Sequence, residues 1–169
     1  QKISIEGGTI QGWAAVMTTA NGGLSNPKGE IASTGTEIVV NNATLISKIL
    51  SNENYGVIVL QEKYNGISAT ITNSTLIAIG DNTINPQYSA ILDIRSYNNV
   101  VTVTNSELNC TNGANEAGGA VVSLGWNHAD FGREHDGNVH FSQVKDYSIP
   151  TTNTVTIGND CQITMKEGE

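Results

Sequence analysis

The fold is decided by the stretch Ser68-Ala69-Thr70-Ile71-Thr72-Asn73-Ser74-Thr75-Leu76-Ile77-Ala78-Ile79. In its first half, Ala69 and Ile71 alternate with polar residues, which is the period-two pattern of a strand with one buried face. Asn73-Ser74 interrupts this pattern. Asn turns a chain within one or two residues because it tolerates the left-handed backbone conformation. The remaining residues, from Thr75 to Ile79, predict a second short strand.

The same strand–Asn turn–strand unit occurs three times. It reads Val40-Asn41-Asn42-Ala43-Thr44-Leu45, then Ile71-Thr72-Asn73-Ser74-Thr75-Leu76, then Val103-Thr104-Asn105-Ser106-Glu107-Leu108. The turn residues Asn42, Asn73 and Asn105 are 31 and then 32 residues apart. A fixed period of this length indicates stacked repeats, each of which buries its apolar face against its neighbours.

The rest of the chain extends this plan. Less regular units are predicted at Ile5–Ile10, where Gly7-Gly8 takes the place of the Asn turn, and at Thr154–Asp160. A longer apolar strand follows the unit in each repeat, at Tyr55–Leu60, Tyr88–Ser96 and Gly119–Leu124. Three short strands per repeat predict parallel strands about 4.8 Å apart around one apolar core.

We therefore predict an all-β fold, a right-handed parallel β-helix of four to five coils of about 30–35 residues, as one domain over residues 1–169. A doubly wound α/β fold is disfavoured because no helical period of useful length separates the strands. The main alternative is a β-sandwich, which also has short strands at regular spacing. Its best hairpin signal is Asn65-Gly66.

Composition excludes several classes of function. The net charge of −8 argues against sequence-independent nucleic-acid binding, which needs clustered Lys and Arg. No apolar run reaches the roughly eighteen residues of a membrane span. Two cysteines, Cys110 and Cys161, are too few for a disulfide framework, and buried free thiols are favoured over a pairing. The start at Gln1, without a signal-like segment, predicts a processed product or a piece of a longer extracellular protein.

The units at Asn42, Asn73 and Asn105 resemble those of the right-handed parallel β-helices of the pectin-lyase-like superfamily, in which Asn side chains often stack as a ladder. The likeness is architectural, covers residues 2 to 164 and includes no active-site signature. It implies a secreted or cell-surface bacterial protein. The superfamily includes polysaccharide lyases and hydrolases, phage tailspikes, adhesins and sugar-binding modules, and a fold alone does not choose among them.

One candidate ligand site lies on the long strand Tyr88–Ser96. Its alternation predicts that Leu92 and Ile94 face the core, while Asp93, Arg95 and Ile91 face outward. The expected neighbours are Val59 and Gln61 on one adjacent strand, and Ser123 and Gly125 on the other. In enzymes of the resembled superfamily, a groove along one outer sheet holds the sugar chain. An Asp–Arg pair there could bind a uronate, directly or through a cation, and an exposed salt bridge is the alternative.

A second candidate site is the segment from Trp126 to His140, which contains all three His of the chain. Imidazole and carboxylate groups could bind a transition metal, carboxylates alone could bind calcium, and a His could act as the general base of a lyase or hydrolase. The residues concerned are His128, Asp130, Glu134, His135 and Asp136. A polar surface loop is the simplest alternative. We expect no required cofactor and treat calcium as an optional ligand.

Aromatic residues complete the sugar-binding hypothesis. Trp126, Tyr64 and Tyr97 fall at strand ends or turns, where their rings could stack on sugars or, alternatively, shield the core. The leading interpretation is an extracellular bacterial β-helix module for adhesion or for binding a polysaccharide or host glycan. A polysaccharide lyase or glycoside hydrolase and a structural spacer are the alternatives. Because no convincing acid–base constellation is present, binding is favoured over catalysis, and no catalytic residue is assigned.

Overall fold

The computed structural model of the chain describes residues 1–18, 33–48, 56–60, 64–79, 89–94, 98–110, 119–124 and 152–165. These residues form strands and no helix. The strands are β1 (Lys2–Glu6), β2 (Thr9–Gly12), β3 (Val16–Thr18), β4 (Ser33–Thr34), β5 (Glu37–Asn41), β6 (Thr44–Lys48), β7 (Ile58–Leu60), β8 (Tyr64–Asn65), β9 (Ser68–Thr72), β10 (Thr75–Ile79), β11 (Ser89–Ile94), β12 (Val100–Thr104), β13 (Glu107–Cys110), β14 (Gly119–Leu124), β15 (Thr154–Ile157) and β16 (Gln162–Met165).

The strands form three large sheets and one small one. The first sheet has the order β1-β5-β9-β12-β15, the second β2-β6-β10-β13-β16, and the third β3-β7-β11-β14. The small sheet pairs β4 with β8. All of these pairs are parallel. The all-β class with parallel sheets is therefore confirmed, and the β-sandwich alternative, which needs antiparallel partners, is wrong for the described residues.

Each large sheet takes one strand from successive repeats, five strands in the first two sheets and four in the third, and the register places matching residues side by side. Val40, Ile71 and Val103 are neighbours in the first sheet and are fully buried. Leu76 lies between Leu45 and Leu108 in the second sheet, and all three are fully buried too. The apolar residues that alternate along each strand therefore form continuous rows through the core.

The first corner joins the first sheet to the second, and it consists of residues 7–8, 42–43, 73–74, 105–106 and 158–161. Asn42, Asn73 and Asn105 have φ of 53°, 51° and 44°, which confirms the predicted left-handed Asn turns. Gly7 and Gly8 take the same region, with φ of 71° and 80°.

The fifth turn differs from the prediction. Asn159 does not adopt a positive φ, and instead the Cys161 N–H donates to the Gly158 carbonyl at 3.1 Å. The reason is one extra residue. Gly158 corresponds in register to Thr104 and Gln162 to Glu107, so three residues turn the chain here where two suffice in the preceding repeat.

The second corner precedes the strands of the first sheet and consists of residues 35–36, 66–67, 98–99 and 152–153. Gly35, Gly66 and Asn98 have φ of 70°, 63° and 57°. Asn65-Gly66 is thus part of a turn between β8 and β9, which pair in parallel with strands of other repeats, and it is not a hairpin.

The third sheet does not show the predicted alternation. Residues 56–60 and 90–94 are all buried, so both faces of the two central strands, β7 and β11, are covered. Ile91 is fully buried and belongs to the hydrophobic core, so the prediction that it leaves the core is wrong. Gly56 lies against β11, where an added Cβ would be 2.8 Å from the Asp93 Cβ. This close approach helps to explain why Asp93 is only 5% exposed.

Cys110 and Cys161 do not form a disulfide, as the sequence predicts, but only Cys110 is buried, and Cys161 is partly exposed. In the register of β13 and β16, Cys110 lies opposite Met165. The Cys161 thiol donates instead to the Val103 carbonyl at 3.5 Å. Stacking of the repeats therefore does not bring the two sulfur atoms into register.

Candidate functional site

A ladder of amide hydrogen bonds runs along the first corner. Asn105 Nδ2 donates to Asn73 Oδ1 at 2.7 Å, and Asn73 Nδ2 donates to Asn41 Oδ1 at 2.8 Å. Asn41 Nδ2 then donates to the Glu6 carboxylate at 2.7 Å. The ladder uses Asn41, the last residue of β5, and not the turn residue Asn42, because Asn41 lies directly opposite Thr72 and accepts its hydroxyl at 2.9 Å.

Next to this ladder, two buried Ser hydroxyls hydrogen-bond the backbone of the corner. Ser74 Oγ accepts from the Ala43 N–H at 3.2 Å, and Ser106 Oγ accepts from the Ser74 N–H at 3.1 Å. Each hydroxyl also donates to the carbonyl two residues earlier, at 2.6 Å and 2.7 Å. Because these Ser side chains both donate and accept, they hold the backbone of adjacent repeats together at the corner.

The conformation of the corner gives a first prediction. Asn73→Ala should destabilise the fold by about 1 kcal/mol more than Asn73→Gly, because a Cβ is unfavourable in the left-handed region unless the side chain hydrogen-bonds locally. Both variants lose the same exposed amide bonds, so their difference isolates the backbone conformation. Urea unfolding of the two variants measures it. Equal stability of the Ala and Gly variants would contradict a left-handed backbone at this position.

The described surface has a groove beside this ladder, with a volume of about 300 Å³. We call it the corner groove, and it is lined by Asn73, Ser74, Thr75, Asn105, Ser106, Glu107, Asp160 and Gln162. Thr75, Glu107 and Gln162 are the first residues of β10, β13 and β16 and lie side by side in register. Asp160 comes from the extra residue of the fifth turn. Its carboxylate lies over Gly158, where a Cβ would collide with Oδ1.

Hydrogen-bond acceptors dominate the corner groove. Its charged lining residues are Glu107 and Asp160, both exposed, and no Lys, Arg or aromatic residue lines it. Asn105 Oδ1, at the end of the ladder, accepts no hydrogen bond from the described residues. The Cys161 thiol lies 3.9 Å from Asp160 Oδ1. The Asn105 amide oxygen, the Glu107 carboxylate and the other Asp160 oxygen face a ligand in the groove, alongside the Gln162 amide.

The sequence-predicted site residues do not come together in the described structure. Asp93 lies opposite Val59 and Ser123, which confirms the predicted register, but its burial removes it from an open outer face. Tyr64 is in β8, where the backbone alone is described. The other predicted residues lie outside the described part of the chain, namely Arg95, Tyr97, Trp126, His128, Asp130, Glu134, His135 and Asp136. Their roles in ligand or metal binding stay predictions.

The groove itself was missed, although two of its residues, Asn73 and Asn105, were predicted as structural turns. A signal for it existed in the sequence. Glu107 stands where the two earlier units have Thr44 and Thr75, and Asp160 stands in a turn that is one residue longer than the others.

No protein-family model, curated protein or solved structure matches this chain. In the part of the chain that the structure describes, helices long and apolar enough to cross a bilayer are absent. Among the same residues, no group of three or more His, Cys, Asp or Glu side chains is placed to hold a metal ion.

Proposed function

We propose that this chain is a module of a right-handed parallel β-helix, of the pectin-lyase-like kind, which binds carbohydrate outside a bacterial cell. The fold part is supported by the parallel sheets, each of which takes one strand from successive repeats in register. The functional part rests on one observation, the corner groove, a polar surface depression that draws its lining from three successive repeats.

The chemistry of the groove suits sugar hydroxyls, which both donate and accept hydrogen bonds. Carboxylates and the Asn105 amide oxygen accept from hydroxyls, while the Gln162 amide can both donate and accept. The hydrogen-bonded corner holds these groups in place before a ligand arrives, which lowers the entropic cost of binding. Since adjacent repeats are about 4.8 Å apart and carry polar groups at matching positions, a polymer of repeating units is a fitting ligand.

The proposal includes adhesion, because binding a glycan on a host or on another cell attaches the protein to that cell. An extracellular location is part of the proposal and agrees with a composition rich in Asn, Thr and Ser and poor in charge, at 14% charged residues. Glycosidases also use a pair of carboxylates. The binding experiment therefore includes a measurement of polysaccharide hydrolysis.

The test is a glycan array probed with and without calcium, followed by titration of the best ligand. We expect saturable binding to a polysaccharide. Gln162→Ala should weaken it about five- to tenfold, the loss expected for one hydrogen bond. Gln11→Ala is the matched control, because Gln11 is an exposed Gln of the second sheet outside the groove.

Two results would contradict the proposal. One is that no neutral, acidic or basic polysaccharide binds, and the other is that the Gln162 and Gln11 variants lose the same amount of affinity. Release of reducing ends from a bound polysaccharide would instead assign the groove to an enzyme.

A further inference from the structure

We infer that the corner groove recognises the protonated amine of an amino-sugar glycan, an inference that rests on the proposed carbohydrate-binding function. The groove presents three acceptor groups with no cation among its lining residues: the carboxylates of Glu107 and Asp160 and the end of the amide ladder at Asn105. A positively charged ligand that only donates hydrogen bonds is complementary to these three acceptor groups.

The direction of the ladder explains why Asn105 offers an oxygen. A carboxylate only accepts hydrogen bonds, so Glu6 requires Asn41 to present its NH₂ group. Asn41 Oδ1 must then face Asn73, and Asn73 Oδ1 must face Asn105. Each amide thus donates toward the first repeat, and the oxygen of the last amide points away from Asn73. Hydrogen bonds in series polarise one another, which makes this terminal oxygen a better acceptor.

The fifth turn leaves that oxygen open. An Asn side chain placed at this level as Asn73 and Asn105 are placed at theirs would continue the ladder and donate to Asn105. The longer turn over Gly158–Cys161 replaces it with Asp160, which has no donor to offer while ionised. One inserted residue therefore exchanges a ladder rung for a second carboxylate beside Glu107.

A primary ammonium group fits these acceptors. It has three donors and no acceptor, and hydrogen bonds between charged partners are roughly twice as strong as neutral ones. A uronate would instead bring its carboxylate next to Glu107 and Asp160, where like charges repel. The groove should therefore favour glycans with free amines over neutral glycans, and neutral glycans over polyuronates.

Isothermal titration calorimetry tests this order of affinities. The three probes are a β-1,4-linked glucosamine oligomer, the same oligomer fully N-acetylated, and an oligogalacturonate. The amine form should bind about tenfold or more tightly than the acetylated form, as expected for charge-assisted hydrogen bonds. The double variant Glu107→Gln/Asp160→Asn should lose this preference and keep its affinity for the acetylated oligomer. Glu37→Gln, an exposed Glu of the first sheet that pairs with Lys2, measures the effect of removing one negative charge outside the groove, whereas the double variant removes two.

Equal affinity for the amine and acetylated oligomers would overturn this inference and leave carbohydrate binding intact. Binding of no oligomer would overturn both. A preference that falls equally in the Glu37 variant would also overturn the inference, because it would reflect the overall charge of the protein. Calcium chloride is titrated as a further arm, since Ca²⁺ also prefers carboxylate and amide oxygens. Calcium binding that requires Glu107 and Asp160, without an amine preference, would assign the groove to a metal.

The polarity of the ladder has a separate test far from the groove. Glu6→Lys replaces the acceptor at the first rung with a donor, which favours a reversed ladder with the Asn105 NH₂ group in the groove. The affinity for the glucosamine oligomer should fall severalfold, while Glu6→Asp, which keeps the acceptor, should change it little. An unchanged affinity in the Lys variant would show that ladder direction does not determine amine binding.

Discussion

Leu76→Ala should lower the free energy of unfolding by about 2–5 kcal/mol, the range for removing a buried Leu side chain and leaving a cavity. Leu76 is fully buried in β10, between Leu45 of β6 and Leu108 of β13. Hydrogen bonds to strands on both sides hold its backbone in place, so the surrounding residues have little freedom to close the cavity. Urea denaturation followed by circular dichroism measures the loss.

Leu124→Ala is the matched control for this prediction. Leu124 is 60% exposed and lies in β14, the last strand of the third sheet. Truncating a side chain that is mostly in water should cost about 1 kcal/mol or less. Losses of similar size at the two positions would contradict the stacked arrangement in which Leu76 is interior and Leu124 is terminal.

This contrast reflects a gradient of burial along the stack. Ile71, in the middle of the first sheet, is fully buried, whereas Ile5 and Ile157, in its first and last strands, are half-buried. A repeat is covered by the repeats on either side of it, so a terminal repeat lacks one source of cover. Mutations of equivalent residues should therefore cost more in the middle repeats than at either end.

The regular parts of the fold were predictable from the sequence because local pattern and tertiary packing agree there. Ser68–Thr72 and Thr75–Ile79 were predicted as strands with the bounds that the structure shows. Their alternation reports a sheet with one buried face, and Asn73 provides a conformation that few other residues accept. The period of the Asn turns then fixes which strands become neighbours.

The third sheet could not be predicted in the same way. The alternation in β11 gave Asp93 an outward direction and the correct neighbours, Val59 and Ser123. Whether an outward residue meets water depends on what covers the sheet, and that cover comes from elsewhere in the chain. The burial of Ile91 and Asp93 is therefore a tertiary property that the strand alone does not encode.

The corner groove could not be predicted from the sequence, for a related reason. Its lining comes from three repeats, and its distinctive feature is the absence of a fourth Asn rung beyond Asn41, Asn73 and Asn105. The sequence pattern predicts a fifth Asn turn at Thr154–Asp160 and gives no indication of where the ladder ends. The one-residue insertion that ends it is visible only once Gly158 and Gln162 are placed in register with the preceding repeat.

Asn99→Ala should destabilise the protein by about 2–3 kcal/mol, because it removes a buried amide that satisfies the backbone at the second corner. Asn99 is 1% exposed, and its Oδ1 accepts from the Ile67 N–H at 3.0 Å. Its Nδ2 donates to Asn153 Oδ1, also at 3.0 Å. The Ala variant leaves the buried Ile67 N–H without this acceptor, and a buried unsatisfied donor costs more than the net value of the bond.

Two further variants separate hydrogen bonding from the loss of side-chain volume. Asn99→Asp keeps an acceptor for Ile67 but places an oxygen against Asn153 Oδ1, so urea unfolding should again show a loss. Asn42→Gly removes an exposed Asn from the first corner and keeps its left-handed backbone, so it should change stability by about 0.5 kcal/mol or less. If Asn99→Ala proved as mild as Asn42→Gly, the bonds from Ile67 through Asn99 to Asn153 could not be what holds these three repeats together at the second corner.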